Sequence, residues 1–343
     1  MTSLIRAFGG PLTCLILFFS GVWVLGLIAA PQIIMIDKSL WRMERPVGAA
    51  ELSVQIDGLY NRLDLLALDR STVADQPEKL AAIDTETSTI QAQIADLERA
   101  ETTPVKTYTL DNFRQMGAAH FAIFVRTILA SLAVSALALV VCYPIAFAVA
   151  QLKTARTAAL IMLMLVVPYA INELLRIFAW QMLLGPNGPV NAILGALGLP
   201  AVPFLESGAG VFIAMVYAYI LFMVFPLYNV LETLDKNQIE AARDLGAPVW
   251  QIHRRVVIPH ARPGIAVGCI MTFMLSVGSY SVPYIMTRGT AAPWFTQLIY
   301  NRFFEATNWN VGAAYALSLL IVCMIFVFLM MRLLKVSLKD IAK

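Results

Sequence analysis

The sequence predicts an all-α polytopic membrane protein with six transmembrane helices and a helical hairpin inserted outside the membrane. Composition is the first ground: 59% of the residues are hydrophobic and 14% charged, with a mean hydropathy of +0.73. A water-soluble globule of 343 residues is less apolar than this. Six apolar runs are the second, at 12–35, 119–150, 157–183, 209–233, 263–287 and 310–334. Each reaches the roughly 20 residues that a bilayer crossing needs. The third is a pair of seven-residue hydrophobic repeats in the polar stretch between the first two runs.

Residues 1–36 hold a short N-terminus and the first run. That run is longer than a signal-peptide core, and no small-x-small pattern precedes Pro31, so it reads as an uncleaved anchor. In the 37–118 segment, Leu52, Ile56, Leu59, Leu63 and Leu66 step by four and three. Leu80, Ile83, Thr87, Ile90, Ile94 and Leu97 do the same after a break at 71–77, where Asp75 and Pro77 mark a helix start. Two antiparallel helices over about 47–101, zipped along these seams, bury a small core that a solvated spacer would not need. A hairpin of this size is marginal alone and leans on something else. Residues 119–335 form the membrane core, interrupted by a polar loop at 235–262, and 336–343 is a basic tail. The second run exceeds the length of a crossing, so part of it is tilted or outside. Cys14, Cys142, Cys269 and Cys323 all lie in apolar runs, at no disulfide or metal spacing.

Charge sets the orientation. The net +3 conceals a segregation: 37–118 holds nine Lys/Arg against fourteen Asp/Glu, a balance of −5, which leaves +8 elsewhere. The basic residues stand in short clusters beside apolar runs, a pattern of membrane flanks rather than of nucleic-acid binding. Lys153 and Arg156 follow the second run. Lys236, Arg243, Arg254, Arg255 and Arg262 follow the fourth, and Arg332, Lys335, Lys339 and Lys343 close the chain. The connection 184–208 has no Lys or Arg. Lysine and arginine in short loops face the cytoplasm, so both termini and the 235–262 loop are expected inside and 37–118 outside.

The 235–262 loop organises the rest. Asp235 and Gln238 have the spacing of a capping box, and Ile239, Ala242 and Leu245 recur on one helical face. Gly246 stands where a left-handed C′ residue ends a helix, and Pro248 falls in the first turn of a second, expected to end near Pro259. The result is a bent helix pair tethered between two spans. Glu240-Ala241-Ala242, then Gly246, then Ile258-Pro259 resembles the EAA loop of ABC-importer permeases, the cytoplasmic element that docks on an ATPase subunit. Further passages resemble the polyamine (spermidine/putrescine) branch of these permeases. They are Tyr108–Phe113, Cys142–Ala146, Leu175–Trp180, Gly185–Gly188, Gly278–Pro283, Leu298–Phe304 and Asn308-Trp309. The likeness spans about 105–335; the hairpin departs from it, since the first outer loop of the family is short.

The resemblance implies a type I importer permease with a MetI-like core, in a bacterial inner membrane. It implies a dimer of ABC ATPase subunits, a second permease that is a related but different chain, and an extracytoplasmic solute-binding protein. The solute implied is a polyamine such as spermidine or putrescine, or a related compound. On this reading Glu240, Ala241, Ala242, Arg243, Asp244, Gly246, Trp250 and Pro259 make the coupling loop. The sequence has no Gly-Lys pair and hence no phosphate loop of the G-x-x-x-x-G-K-[ST] kind. ATP and Mg are therefore expected on the partner, with no cofactor, catalytic residue or metal ligand in this chain and no nucleic-acid partner.

Ionisable residues inside a membrane span are candidates for function. Glu173 and Arg176 lie three apart on one helical face, a spacing that permits an ion pair. Asn172, Trp180, Tyr280 and Tyr284 offer hydrogen bonds and ring faces to a cationic solute, or else serve ordinary helix packing. His120, His253 and His260 have no catalytic or metal spacing. Two other functions compete: a secondary transporter or channel working without ATP, which would want internal repeats, of which no convincing one is seen, and broken helices with ions at midplane, and a membrane-anchored scaffold or sensor, which would not need the Glu240 loop.

Overall fold

Seven-residue seams need a partner helix, and the fold supplies one. The computed structural model of the chain describes residues 6, 9–44, 49–72, 77–102, 105–287 and 293–337. They fall into two compact units, Met1–Arg114 and Gln115–Lys343. In the first, helix α1 runs over Gly10–Ser39. Phe18, Trp23, Leu25 and Ile33 are exposed on it, the all-round apolar surface of a helix that sits in lipid. The helix continues through Pro31 because a wide π-type turn, Val24–Ala29, precedes it. A π-register bond runs from residue i to i+5, so the carbonyl four residues before the proline does not require its missing N–H.

The hairpin is α2 (Ala49–Thr72) against α3 (Pro77–Thr102). Ile56, Leu66, Ile90 and Ile94 are buried between them, with Leu59, Leu63, Ile83 and Leu97 packed alongside. Arg62 pairs with Glu86 at 3.0 Å, and the Tyr60 hydroxyl donates to Glu98 at 2.9 Å. That carboxylate holds the phenol of Tyr60 above its usual pKa. Both polar links are exposed and contribute little; the seam carries the hairpin. Asp75 lies outside the described residues, as do Lys339 and Lys343.

A two-stranded ribbon, absent from the all-helical expectation, closes the base of the hairpin. β1 (Trp41–Glu44) pairs antiparallel with β2 (Val105–Tyr108), Trp41 opposite Tyr108. Four-residue strands are too short to show a period. Tertiary contacts hold the ribbon instead. Lys106 lies 4.7 Å from the Trp41 ring and 4.8 Å from the Tyr108 ring, with Asp37 3.1 Å from its ammonium. Asn112, buried, donates to the carbonyls of Ser39 and Trp41 at 2.9 and 2.8 Å.

The second unit is built on α4 (Ala118–Ala150), α8 (Ala209–Glu232) and α10 (Val249–Val277), with α13 (Trp309–Leu334) beside α10. Small residues bring α8 and α10 together. A Cβ on Gly264 would stand 2.5 Å from the Pro226 carbonyl oxygen, and one on Gly268 2.7 Å from Met223 Sδ. This is the close backbone approach that a G-x-x-x-G spacing allows. Between α4 and α8 the third apolar run is not one straight span. It divides into α5 (Ala155–Ala170) and α6 (Glu173–Leu183), bent by 92°. Pro168 sits in a 3₁₀ turn, Val167–Ala170, and Ile171 is extended. Asn172 then starts a new helix by accepting the Leu174 N–H at 2.9 Å. Five of the described helices are long and apolar enough to cross a membrane, and the bent pair is the sixth candidate. Shorter helices α7 (Pro189–Ala196), α9 (Lys236–Asp244), α11 (Ser281–Thr287) and α12 (Phe295–Tyr300) connect them.

Candidate coupling loop and solute path

The polar loop begins with Asp235 at the N-cap of α9, its carboxylate accepting the Asn237 N–H at 3.0 Å. Gln238 does not complete a capping box: its backbone N–H goes to the Asp235 carbonyl at 3.1 Å and not to the Asp235 carboxylate. Ile239 is buried and Ala242 packs beside it against the core, so the predicted apolar face anchors the helix. Leu245 departs from that face and is 89% exposed. It stands at the C-cap, where helical periodicity ends. Beyond it Gly246 takes φ +76°, and the N–H groups of Gly246 and Ala247 return to the carbonyls of Arg243 and Ala242 at 2.9 and 3.1 Å. That pair of bonds is a Schellman ending. Glu240, Ala241, Arg243 and Asp244 are exposed on the outer side of α9.

Pro248 is the N-cap of the following helix, one residue before the expected place. That helix does not stop at Pro259, which is half-buried within α10. The wide turn His253–Val257 immediately precedes it and works as the turn before Pro31 does. The outer half of the loop and the fifth span are therefore one continuous helix. Its first turn presents Val249 and Trp250, 67% and 70% exposed, close in sequence to Leu245.

Residues that sequence reasoning did not single out fix the loop to the bundle. Lys236 donates to the carbonyls of Gln151 and Leu152 at 3.2 and 3.1 Å, at the C-terminal end of α4 where a cation is favoured. His253 Nδ1 lies 2.7 Å from the Tyr143 hydroxyl, with its ring 4.7 Å from that of Phe147. His260 Nε2 is 3.0 Å from the Val230 carbonyl oxygen. None of these contacts has a local sequence signature, because each joins residues 30 or more apart.

The six path candidates separate into two groups. At the bend, Asn172 caps α6 and Glu173 is exposed on its first turn. The expected Glu173–Arg176 ion pair is not formed. Arg176 instead lays its guanidinium over the Tyr169 ring at 4.3 Å, across the 92° break, and leaves Nε and Nη1 buried without an acceptor. Spacing alone misled here, because Glu173 starts the helix at the surface while the Arg176 stem turns back toward the 3₁₀ turn. Tyr169 donates to the Tyr217 carbonyl at 2.5 Å, and Trp180 packs 5.2 Å from the Tyr217 ring. Arg176, Trp180 and Tyr217 line a cleft of about 280 Å³. The second group is Tyr280 and Tyr284, stacked at 5.3 Å and 15°. Gln181 donates to the Ile285 carbonyl at 2.9 Å and braces α6 on α11.

Residues 142–340 match the family described as "Binding-protein-dependent transport system inner membrane component". The chain belongs to that family. It is 34% identical over 218 residues to the spermidine/putrescine transport system permease protein PotB of Escherichia coli, covering 63% of this chain and 78% of that one. With PotB of Haemophilus influenzae it shares 31% over 208 residues, 59% of this chain and 72% of that one. A chain of a bacterial ABC transporter that imports the polysaccharide alginate has the same fold, with a TM-score of 0.51 at 18% identity over 79% of this chain and 98% of that chain. The chain is thus an ABC-importer permease, a multi-pass inner-membrane transport component rather than an enzyme. The match begins at Cys142 and leaves the hairpin outside the family region.

Proposed function

We propose that this permease couples solute import to ATP hydrolysis on a separate ATPase dimer through Glu240–Trp250, and that its solute is a polyamine of the spermidine or putrescine class. The observation that carries the coupling is the loop tip. Leu245, Val249 and Trp250 stand out in solvent on a base fixed by Ile239, Lys236 and His253. Apolar side chains held outward on a rigid base are a surface built for a partner. Glu240, Arg243 and Asp244 supply the polar rim and Gly246 the bend, while Pro259 lies in the helix that carries the tip into the membrane. ATP and Mg belong to the partner, and this chain supplies the mechanical contact. A second, related permease completes the path, and a soluble binding protein delivers the solute from outside. Both termini and the loop face the cytoplasm, as the lysine and arginine distribution favours. The polyamine assignment draws on the two PotB relatives and on exposed ring faces suited to cations.

The test is co-purification with the ATPase subunit and uptake of labelled spermidine and putrescine. Trp250→Ser with Val249→Ser is expected to release the ATPase and abolish uptake while the permease pair stays in the membrane. Retention of the ATPase by this variant would refute the docking role. Uptake of neither amine by an intact, ATP-hydrolysing importer would refute the solute assignment alone.

A further inference from the structure

The stack of Tyr280 on Tyr284 continues through residues outside the sequence candidates. Tyr300 lies 4.8 Å from Tyr280 at 33°, and Phe304 lies 4.8 Å from Tyr300 at 36°. Four rings thus form one file, from α11 to the wide turn Asn301–Glu305 that follows α12. Tyr284, Tyr300 and Phe304 are 48%, 40% and 63% exposed, so the file presents an open face. It stands just past the end of α10 opposite the coupling loop, the end that the charge distribution places outside the cell.

The charges around it are sorted. Between residues 115 and 337 the chain has seven carboxylates, four of them within 232–244. Of the other three, Glu305 is on the same turn as Phe304 and close enough to act electrostatically on Tyr280. The neighbouring cation, Arg302, is directed to the buried Tyr315 ring, 6.0 Å from its centroid. Ring faces carry negative potential, and a carboxylate beside them adds to it. We propose that Tyr284, Tyr280, Tyr300, Phe304 and Glu305 form a binding site for an elongated organic cation at the outer mouth of the permease. The inference rests on the permease reading above and assigns the receiving site within it.

The site is tested by occupancy rather than by transport. The assembled importer carries Ala306→Cys, exposed beside Glu305, on a Cys14→Ser background; the other three cysteines are buried. The rate of thiol labelling is measured with spermidine, with tetraethylammonium and with the neutral 1,8-octanediol. Both cations slow labelling and the diol does not. Tyr300→Leu and Phe304→Leu each raise the protecting concentration by about 2- to 30-fold, the worth of one cation–π contact. Tyr300→Phe leaves it unchanged, and Glu305→Gln raises it in low salt more than in high salt. Absence of protection by either cation, equal protection by the diol, or protection that survives both leucine variants overturns the site. Protection in an importer that carries no polyamine would refute the solute assignment and leave the site standing; polyamine uptake without protection would do the reverse.

Discussion

Gly246 isolates the geometry of the loop from its side chains. Its φ is +76°, and a Cβ built on it meets nothing within 4 Å, so substitution costs backbone strain and no clash. A left-handed conformation costs a non-glycine residue roughly 1–2 kcal/mol, more for a β-branched side chain and less for asparagine. A strain of that size lowers the ratio of bent to unbent loop by about 5- to 30-fold. It falls on the turn between Leu245 and Val249, because Ile239 and Ile252 on either side are buried and hold their places. Spermidine uptake per membrane-inserted permease is therefore expected to fall in the order Gly246→Asn, Gly246→Ala, Gly246→Val. The stability of the permease pair should fall by no more than that strain, ~1–2 kcal/mol, since no core contact changes. Full uptake by Gly246→Val at normal expression would refute the requirement for the bend. Equal damage from asparagine and valine would show that the added side chain, rather than the backbone, is responsible.

Gly264 gives the opposite pattern. Gly264→Ala forces a Cβ against the Pro226 carbonyl and should lower the unfolding temperature of the purified permease, at an overpacking cost of about 1–3 kcal/mol, whatever its effect on uptake. Glu173→Gln should leave thermal stability unchanged, because the carboxylate is exposed and does not neutralise Arg176. Tyr169→Leu, which removes the ring beneath that guanidinium and the bond to Tyr217, should cost about 1–3 kcal/mol; the reverse ranking in a thermal melt would restore the ion pair. Replacing 47–101 by a Gly/Ser linker should spare basal ATP hydrolysis and reduce its stimulation by the binding protein. Unchanged stimulation and uptake would exclude the hairpin as a landing site, and failure to assemble would make it a brace.

What the sequence discloses depends on whether a feature is local and periodic. The seams at Ile56, Leu66, Ile90 and Ile94, and the glycine at 246, are written in spacing over one or two turns and are legible directly. The ribbon at Trp41–Glu44 and Val105–Tyr108 is not, because it depends on Lys106, Asp37 and Asn112 meeting across some 70 residues. Arg176 shows the same limit within the candidate path. Its three-residue distance to Glu173 is visible, whereas the bend that puts Tyr169 beneath it depends on Pro168 and Asn172 acting together. The ring file is half legible: Tyr280 immediately precedes the short helix that carries Tyr284, and only folding brings Tyr300 and Phe304 to them.

Pro259 is the reading with the largest mechanical consequence. A helix ending there would leave a hinge between the loop and the membrane, and a push at Trp250 would dissipate in it. The wide turn at His253–Val257 removes the need for that break, so the helix from Val249 to Val277 is continuous and about 43 Å long at 1.5 Å per residue. Gly264 and Gly268 hold it against α8 with almost no intervening side chain, which favours sliding or tilting of the whole rod over local bending. Tyr280 follows its last residue by three positions. If an ATPase docks at Trp250 as proposed, a displacement delivered there has one continuous helix as far as Val277, and the short non-helical stretch 278–280 joins that helix to the ring file. If docking at Trp250 and cation binding at the proposed ring file both shift this helix, linkage requires that each alter the other's affinity by the same factor.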